Sequence, residues 1–585
     1  MMASNPIAPY YMDIQYKKNG IFLKYGLSHY STTEHVYYKK TDSAFRLSRK
    51  LEMGLFLICS EKATPLSILK STNSFLWNSI GKKYQDSILP QVLPFKDYAA
   101  KGYSMALDKY WVNGYAPNSG GITLSTFYDN KNNQYRGRYS KNDIWFHSWF
   151  NNMRTAYGLF YWGKATGNDE WCQKAQSIIN LFLSCPKNEG FFPVIWIPEK
   201  NQWEKSSHGG GKDMYHVPDN VWTAYWLMRY NDELNPVTGC DTILMNLTDK
   251  LLCTQNSDGS FPARIHTGTL IPDTVLCSSA SGAISTWFLE ELLIRKELES
   301  GRREKVIRSV KRSLEFLEEK VLPLQRFEDF EVYFSCSPKP LNDYDSSTCM
   351  YPQNTLSIQW CAEAFLKAYL IFKDSRYLRD GEYCLNILSL YQQVWNPPYI
   401  SLYAFGGFGT QNSDAEWSDA RQAQFAETYL NYYSATSNME YLQRAVYACR
   451  ASFTLMAIPE NKYVAPLNYQ GHHFNSEYTG CMAENFGHDG INKRSFQSGF
   501  HWGTGSALTT AAIFKKELGD IFLDPESGTA TGIDGIVVNK AEWGTDIKLS
   551  ITRLNISDPF IIHTRNNKQL TRKLFINGKD SGIGL

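Results

Sequence analysis

Leu183-Ser-Cys-Pro-Lys-Asn-Glu-Gly-Phe-Phe-Pro193 and Leu252-Cys-Thr-Gln-Asn-Ser-Asp-Gly-Ser-Phe-Pro262 are two versions of one phrase. Gly190 and Gly259 lie 69 residues apart, and so do Pro193 and Pro262. A period of that length belongs to a repeated supersecondary unit rather than to a single helix or strand. Further shared wording surrounds the pair: N-D-E-W-C-Q-K-A at 168–175, D-S-R-Y-L-R-D-G at 374–381 and S-N-M-E-Y-L-Q-R-A at 437–445. In each, a short polar turn leads to Trp171, Tyr377 or Tyr441 and then to an apolar i, i+3, i+4 stripe, the signature of an amphipathic helix. Such helices begin near Asp169, Cys240, Arg303, Ser375 and Met439, at intervals that suit a two-helix hairpin plus a long loop. Between them run segments richer in aromatic and small residues, at 145–162, 218–232, 280–298, 353–372, 419–434 and 502–516, which read as more deeply buried helices. With one more helix near 95–112 the pattern makes six hairpins. No hairpin buries its apolar face alone, so a closed ring of inner and outer helices is expected.

The flanks differ. Residues 1–93 are mixed, with a hairpin expected around Asn19-Gly20 and a helix from Thr64 to Trp77. Residues 517–585 hold short alternating runs, Asp546-Ile-Lys-Leu-Ser-Ile-Thr-Arg553 and Lys573-Leu-Phe-Ile-Asn-Gly-Lys579, and read as a small β module ending in a hairpin at Asn577-Gly578. The division expected is therefore 1–93, 94–516 and 517–585.

A formal net charge of +2 offers no field to attract nucleic acid or an anionic membrane. No apolar run approaches the length of a membrane span. The 12 cysteines contain no C-x-x-C pair and are expected to be mostly free and buried. The opening Met1-Met-Ala-Ser-Asn-Pro6 lacks the basic and apolar regions of a secretory signal. A cytoplasmic protein is expected from the chain as given, and an extracytoplasmic one if its N-terminus is truncated. Oligomeric state is not legible.

The T-Q-N-S-D-G-S-F-P phrase and the K-A-T-G-N-D-E-W turn resemble those of the six-hairpin (α/α)6-toroid superfamily of glycosidases and polysaccharide lyases. The resemblance covers about 95–516. It implies a mainly α toroid and an oligosaccharide or polysaccharide substrate, with uronic-acid-containing chains as one class.

In such a toroid the loops entering the inner helices open on one face. Eight of the 11 histidines lie in or beside those loops: His147, His208, His216, His266, His472, His473, His488 and His501. Imidazole titrates near neutrality, so this face is the expected site of proton transfer. The stretch Phe405-Gly-Gly-Phe-Gly-Thr-Gln-Asn-Ser-Asp-Ala-Glu-Trp-Ser-Asp-Ala-Arg421 packs Asp414, Glu416 and Asp419 among Phe405, Phe408 and Trp417. It reads either as a helix cap or as a paired-carboxylate site with an aromatic platform for a sugar. The leading expectation is a glycoside hydrolase, with Asp414 or Glu416 in one role and Asp419, Asp489 or Asp345 in the other, and with His488 as a further proton-transfer group. Candidate substrate contacts are His208, Tyr215, His216, Asp345, Trp417, Glu484, His501, Trp502, His147 and Arg154, the last as a carboxylate clamp. Asp219 reads as a cap of the helix that follows it. The alternatives are a lyase using His and Tyr, an epimerase using paired His, and a non-catalytic glycan-binding protein. No cofactor is called for, and H-E-x-x-H or similar metal spacings are absent.

Overall fold

The computed structural model describes residues 64–584 except 125–126, 130–133, 137–141, 188–189, 205–212, 273–277, 330–343, 345–349, 352, 399, 413–415, 463–475, 488–499, 555–559 and 568–571. Ahead of these it describes the backbone of four strands within 10–40. Side chains of the strands at 127–129 and 134–136, and those of 580–584, are outside the description.

Thirteen helices are described: α1 (Pro65–Phe75), α2 (Phe95–Lys109), α3 (Asn152–Thr166), α4 (Asp169–Leu183), α5 (Val217–Glu233), α6 (Cys240–Thr254), α7 (Ser279–Arg295), α8 (Ser300–Phe316), α9 (Thr355–Phe372), α10 (Ser375–Tyr391), α11 (Ala423–Thr436), α12 (Met439–Ala451) and α13 (Thr504–Leu518). Helices α3, α5, α7, α9, α11 and α13 each pack on the next, and α13 packs back on α3, which closes the ring. Each inner helix also packs on one outer partner: α4, α6, α8, α10, α12 and, for α13, α2. This is the (α/α)6 toroid.

Burial explains which helix goes where. Helix α5 is buried without a break from Val217 to Tyr230, as a helix enclosed on all sides must be. Helix α8 buries only Val306, Ser309, Val310, Ser313, Leu314 and Phe316, a single stripe, and turns Arg and Lys to solvent. The shared turn wording also has a physical reading. Between α3 and α4, Gly167 takes a left-handed φ of 70° and the Asn168 side chain accepts from Trp171 N. Lys373-Asp374 and Ser437-Asn438 repeat the device before α10 and α12. One left-handed residue followed by an Asn or Asp cap reverses the chain in the fewest residues.

The exit phrases are stitches. Gly190 has φ 83° and Gly259 φ 89°, a conformation glycine adopts without penalty. A Cβ on Gly190 would sit 2.8 Å from the Asn246 carbonyl of α6, and one on Gly259 would run into the Arg312 carbonyl of α8. Each exit turn therefore lies directly on the backbone of the next outer helix, and the 69-residue period records that contact.

Two expected starts move. Residues 144–149 do not begin an inner helix: Ile144–Trp145 is a short strand paired with Ile195–Ile197, and Asn151 caps α3 by accepting from Met153 N and Arg154 N. Ser418–Asp419 is likewise a strand, and α11 begins at Ala423 after a 3₁₀ turn. At the N-terminus Tyr10–Lys17 pairs with Gly20–Leu27, so Gly20 opens the return strand instead of sitting in the turn.

After α13, Ile521–Asp524 pairs with Thr529–Gly532 and Ile562–Thr564, and a four-stranded sheet follows. Ile547–Arg553 alternates buried and exposed residues around its own small core. The last hairpin turns at Asn577 and Gly578, both with positive φ, as an Asn-Gly hairpin turn requires. Among the described residues no helix is long and apolar enough to cross a membrane.

Candidate active site

The N-termini of the inner helices form one mouth of the toroid, and the segments that enter them carry the polar side chains. Helix α5 starts at Val217 directly after the strand Met214–His216, and Pro218 in its first turn fixes the entry. His216 and Asp219, three residues apart, therefore share a face, and His216 Nδ1 lies 3.0 Å from Asp219 Oδ2. The turn before α3 brings His147 to the same oxygen, with its Nε2 at 3.3 Å. Ser148 donates to the other oxygen, Oδ1, from both its N–H (2.9 Å) and its hydroxyl (2.7 Å). The two imidazoles lie nearly parallel, 15° apart, with centroids separated by 6.3 Å. All three titratable groups are buried.

Burial alone would raise the Asp219 pKa. The charges of His147 and His216 and the hydrogen bonds from His216 and Ser148 outweigh it and hold the carboxyl well below the usual carboxylate range. Asp219 is thus an ionised hub rather than a helix cap: the cap position of α5 belongs to His216, which makes no side-chain cap bond. The i, i+3 spacing of His216 and Asp219 was the sequence signal for this pairing. Ser148 and His147 had none, because they reach Asp219 only through the ring closure.

The tautomer of His147 follows from its neighbours. Trp149 N–H donates to His147 Nδ1 at 3.1 Å, so in the neutral ring the proton resides on Nε2, facing Asp219. The ligand atoms of His147, His216 and Asp219 converge within 4.8 Å, a donor set that suits a divalent cation. A metal on His147 Nε2 would force a proton onto Nδ1, against the Trp149 N–H. The donor set fits a metal; the second-shell hydrogen bond does not. The arrangement fits shared protons.

Beside the triad stands an aromatic wall. Trp149 and Trp502 have centroids 4.7 Å apart, with Phe150 against Trp502 at 5.7 Å. The Arg421 guanidinium lies 4.4 Å from the Trp502 ring and is paired with Asp419, Nε to Oδ1 at 2.7 Å. Asp419 is buried, and its Oδ2 has no hydrogen-bond partner among the described residues. The Asp419 backbone pairs with Asn485, and Ala420 N donates to Glu484 O at 2.8 Å, so Glu484 contributes main chain here and its side chain is half-buried.

The structure sorts the remaining candidates. Glu416 is buried and accepts from the Thr410 hydroxyl. Trp417 is half-buried. Tyr215 pairs in a strand with Ile265 and stacks on Phe191 at 5.8 Å. His501 is not a substrate contact: Nε2 faces Ile122 O and Nδ1 the Thr155 hydroxyl, both at 2.8 Å. Burial pushes its pKa down to about 3, so it is a neutral strut. Arg154 does not point to the mouth; its Nη2 donates to the backbone carbonyls of Trp149 and His501. Phe405 and Phe408 form no platform, because Phe405 packs on Trp77 and Tyr447 and Phe408 on Phe425 and Tyr429. Asp414, Asp489, His488, His208 and Asp345 lie outside the described residues.

The class defined by this architecture is the six-hairpin (α/α)6 toroid. Among solved structures the chain is similar to a sugar epimerase from a ruminal bacterium, at 11% identity and a TM-score of 0.46, over 72% of this chain and 98% of that one. It is also similar to a family 76 α-mannanase from Bacteroides thetaiotaomicron (12% identity, TM-score 0.44, 72% and 96% coverage). A third is an unsaturated glucuronyl hydrolase from Streptococcus agalactiae (10%, 0.41, 72% and 90%). No family model matches the sequence, and no curated protein matches it.

Proposed function

We propose that this protein is a carbohydrate-active enzyme whose described site moves protons by imidazole, as an epimerase or isomerase of a sugar. The observation that carries this reading is Asp219 held between His147 and His216 beside the Trp149–Trp502 wall. Asp219 Oδ2 engages Nδ1 of His216, which directs the other ring nitrogen, Nε2, to act as the base. That nitrogen takes the proton from the carbon next to a sugar carbonyl, and the C–H electron pair becomes the enediolate. The imidazolium then gives the proton back on the same face to the neighbouring carbon, which isomerises the sugar, whereas inversion at the original carbon takes its proton from a water on the opposite face while His216 releases its own to solvent. The ionised carboxylate stabilises the imidazolium that forms, the role a buried aspartate plays wherever it orients a histidine. Trp149 and Trp502 are buried and back the triad on one side, and Arg421 places positive charge beside them.

A second reading is glycoside hydrolysis, favoured by the unpartnered Oδ2 of buried Asp419 next to the same aromatic wall. Incubation with free sugars and oligosaccharides in deuterated water separates the two. Deuterium entering a C–H beside the carbonyl, lost by about two to four orders of magnitude in His216→Asn and in Asp219→Asn, supports proton transfer. New reducing ends that survive His216→Asn and vanish in Asp419→Asn would replace it with hydrolysis. An unsaturated product absorbing in the ultraviolet would replace it with elimination.

A further inference from the structure

One to two turns below the mouth, all six inner helices contribute to a small, partly enclosed void on the ring axis, through Arg154, Trp222, Trp287, Glu363, Gln424 and Thr509 among others. The void admits a guest about the size of one water molecule. Its walls are polar atoms that the protein leaves unpaired. Arg154 uses only Nη2; its Nε and Nη1, buried in a residue 1% exposed, have no hydrogen-bond partner among the described residues. The indole N–H groups of Trp222, Trp226 and Trp287 and the amide nitrogen of Gln424 are equally unpartnered. Against these six donors stand three unpartnered acceptors, Gln359 Oε1, Gln424 Oε1 and Glu363 Oε2.

Charge tips the same way. Burial pushes Arg154 down to about 9, which leaves it cationic at neutral pH, and no carboxylate offsets it. Glu427 on the same void is paired with Arg229 at 2.8 Å. Glu363 accepts from Asn431 at 3.0 Å, and burial pushes its carboxyl up, toward the neutral form that cannot neutralise a guanidinium. A buried, unpaired cation ringed by spare N–H donors is costly unless something negative joins it.

We infer that the axial void is an anion-binding site, in which Arg154 and the indole N–H groups of the surrounding tryptophans hold one small inorganic anion of halide size. The site lies beneath the proposed reaction centre and does not depend on its chemistry. Bound there, the anion completes the core: it neutralises the one inner-helix guanidinium that the chamber leaves unpaired, and it ties α3 to α5 and α7 across the axis.

The test uses bromide as the probe on the whole protein. Crystals grown in bromide are expected to show an anomalous peak beside Arg154. Above the dissociation constant, each tenfold rise in bromide should raise the folding equilibrium constant about tenfold, measured against sodium gluconate at equal ionic strength. Arg154→Met should abolish that dependence, and Trp287→Phe, which keeps the ring stack but removes one N–H, should weaken it. Density for water alone in the void, or the same bromide response in Trp287→Phe and Arg154→Met as in wild type, would overturn the inference. If Arg154→Met fails to fold, the anomalous map and Trp287→Phe decide.

Discussion

His501 and Asp219 have opposite electrostatic characters although both are buried at the same mouth. His501 is kept neutral, its pKa driven from an ordinary 6.5 to about 3 by burial. Between those values the unfolded chain binds the proton that the folded one refuses, so stability rises with pH there, by at most about 1.4 kcal/mol per unit. Urea unfolding between pH 4 and 7 should show this slope, and His501→Gln should flatten it. Asp219 is kept charged instead: its folded carboxyl also titrates below the unfolded value, so its contribution is complete above pH ~4–5 and fades as pH falls below that. Asp219→Asn is expected to cost about 3–5 kcal/mol at neutral pH, with the gap to wild type narrowing in acid. Chelators should leave the melting temperature unchanged, because Trp149 N–H donates to His147 Nδ1 and so keeps the ring's own proton on Nε2, the atom a metal would bind; a drop with chelator, reversed by zinc, would show a metal instead.

At the level of elements, the toroid is held by its turns as much as by its helix faces. The carbonyl of Arg312 occupies the space in front of Gly259, so Gly259→Ala meets both a positive φ and a clash. A loss of about 2–4 kcal/mol is expected in denaturant melts, whereas alanine at Gly239, where φ is 81° but nothing lies within 4 Å, should cost about 1 kcal/mol. Asn151 joins the two roles of a helix start. It caps α3, and its amide donates to His147 O at 2.9 Å and to Thr223 Oγ1 at 3.2 Å. The hairpin rhythm was legible because caps and left-handed residues are local chemistry, written in Gly167-Asn168 and Lys373-Asp374. The strand at 144–145 was not, because its partner at 195–197 lies a whole hairpin away.

Across the whole molecule, the C-terminal strands are bound into the ring. Arg450 of α12 donates to the carbonyls of Gly532, Ile533 and Ile536, and Asp534 accepts from Gln91 and from Phe95 N at the start of α2. Thermal unfolding should therefore be one transition followed equally by helical and sheet signals, and Arg450→Met should lower its midpoint without splitting it. The order of helices and their inner or outer place were determined by the sequence, since they depend on periodicity and on turn residues within a few positions of one another. Which polar residues form the site was decided only by ring closure. Asp219 reads locally as a helix-start acid, and His147 and His216 as two loop histidines 69 residues apart. Only the packing of α3 against α5 brings them to one oxygen atom, because a contact between chain-distant side chains is a property of the closed ring and of no segment within it.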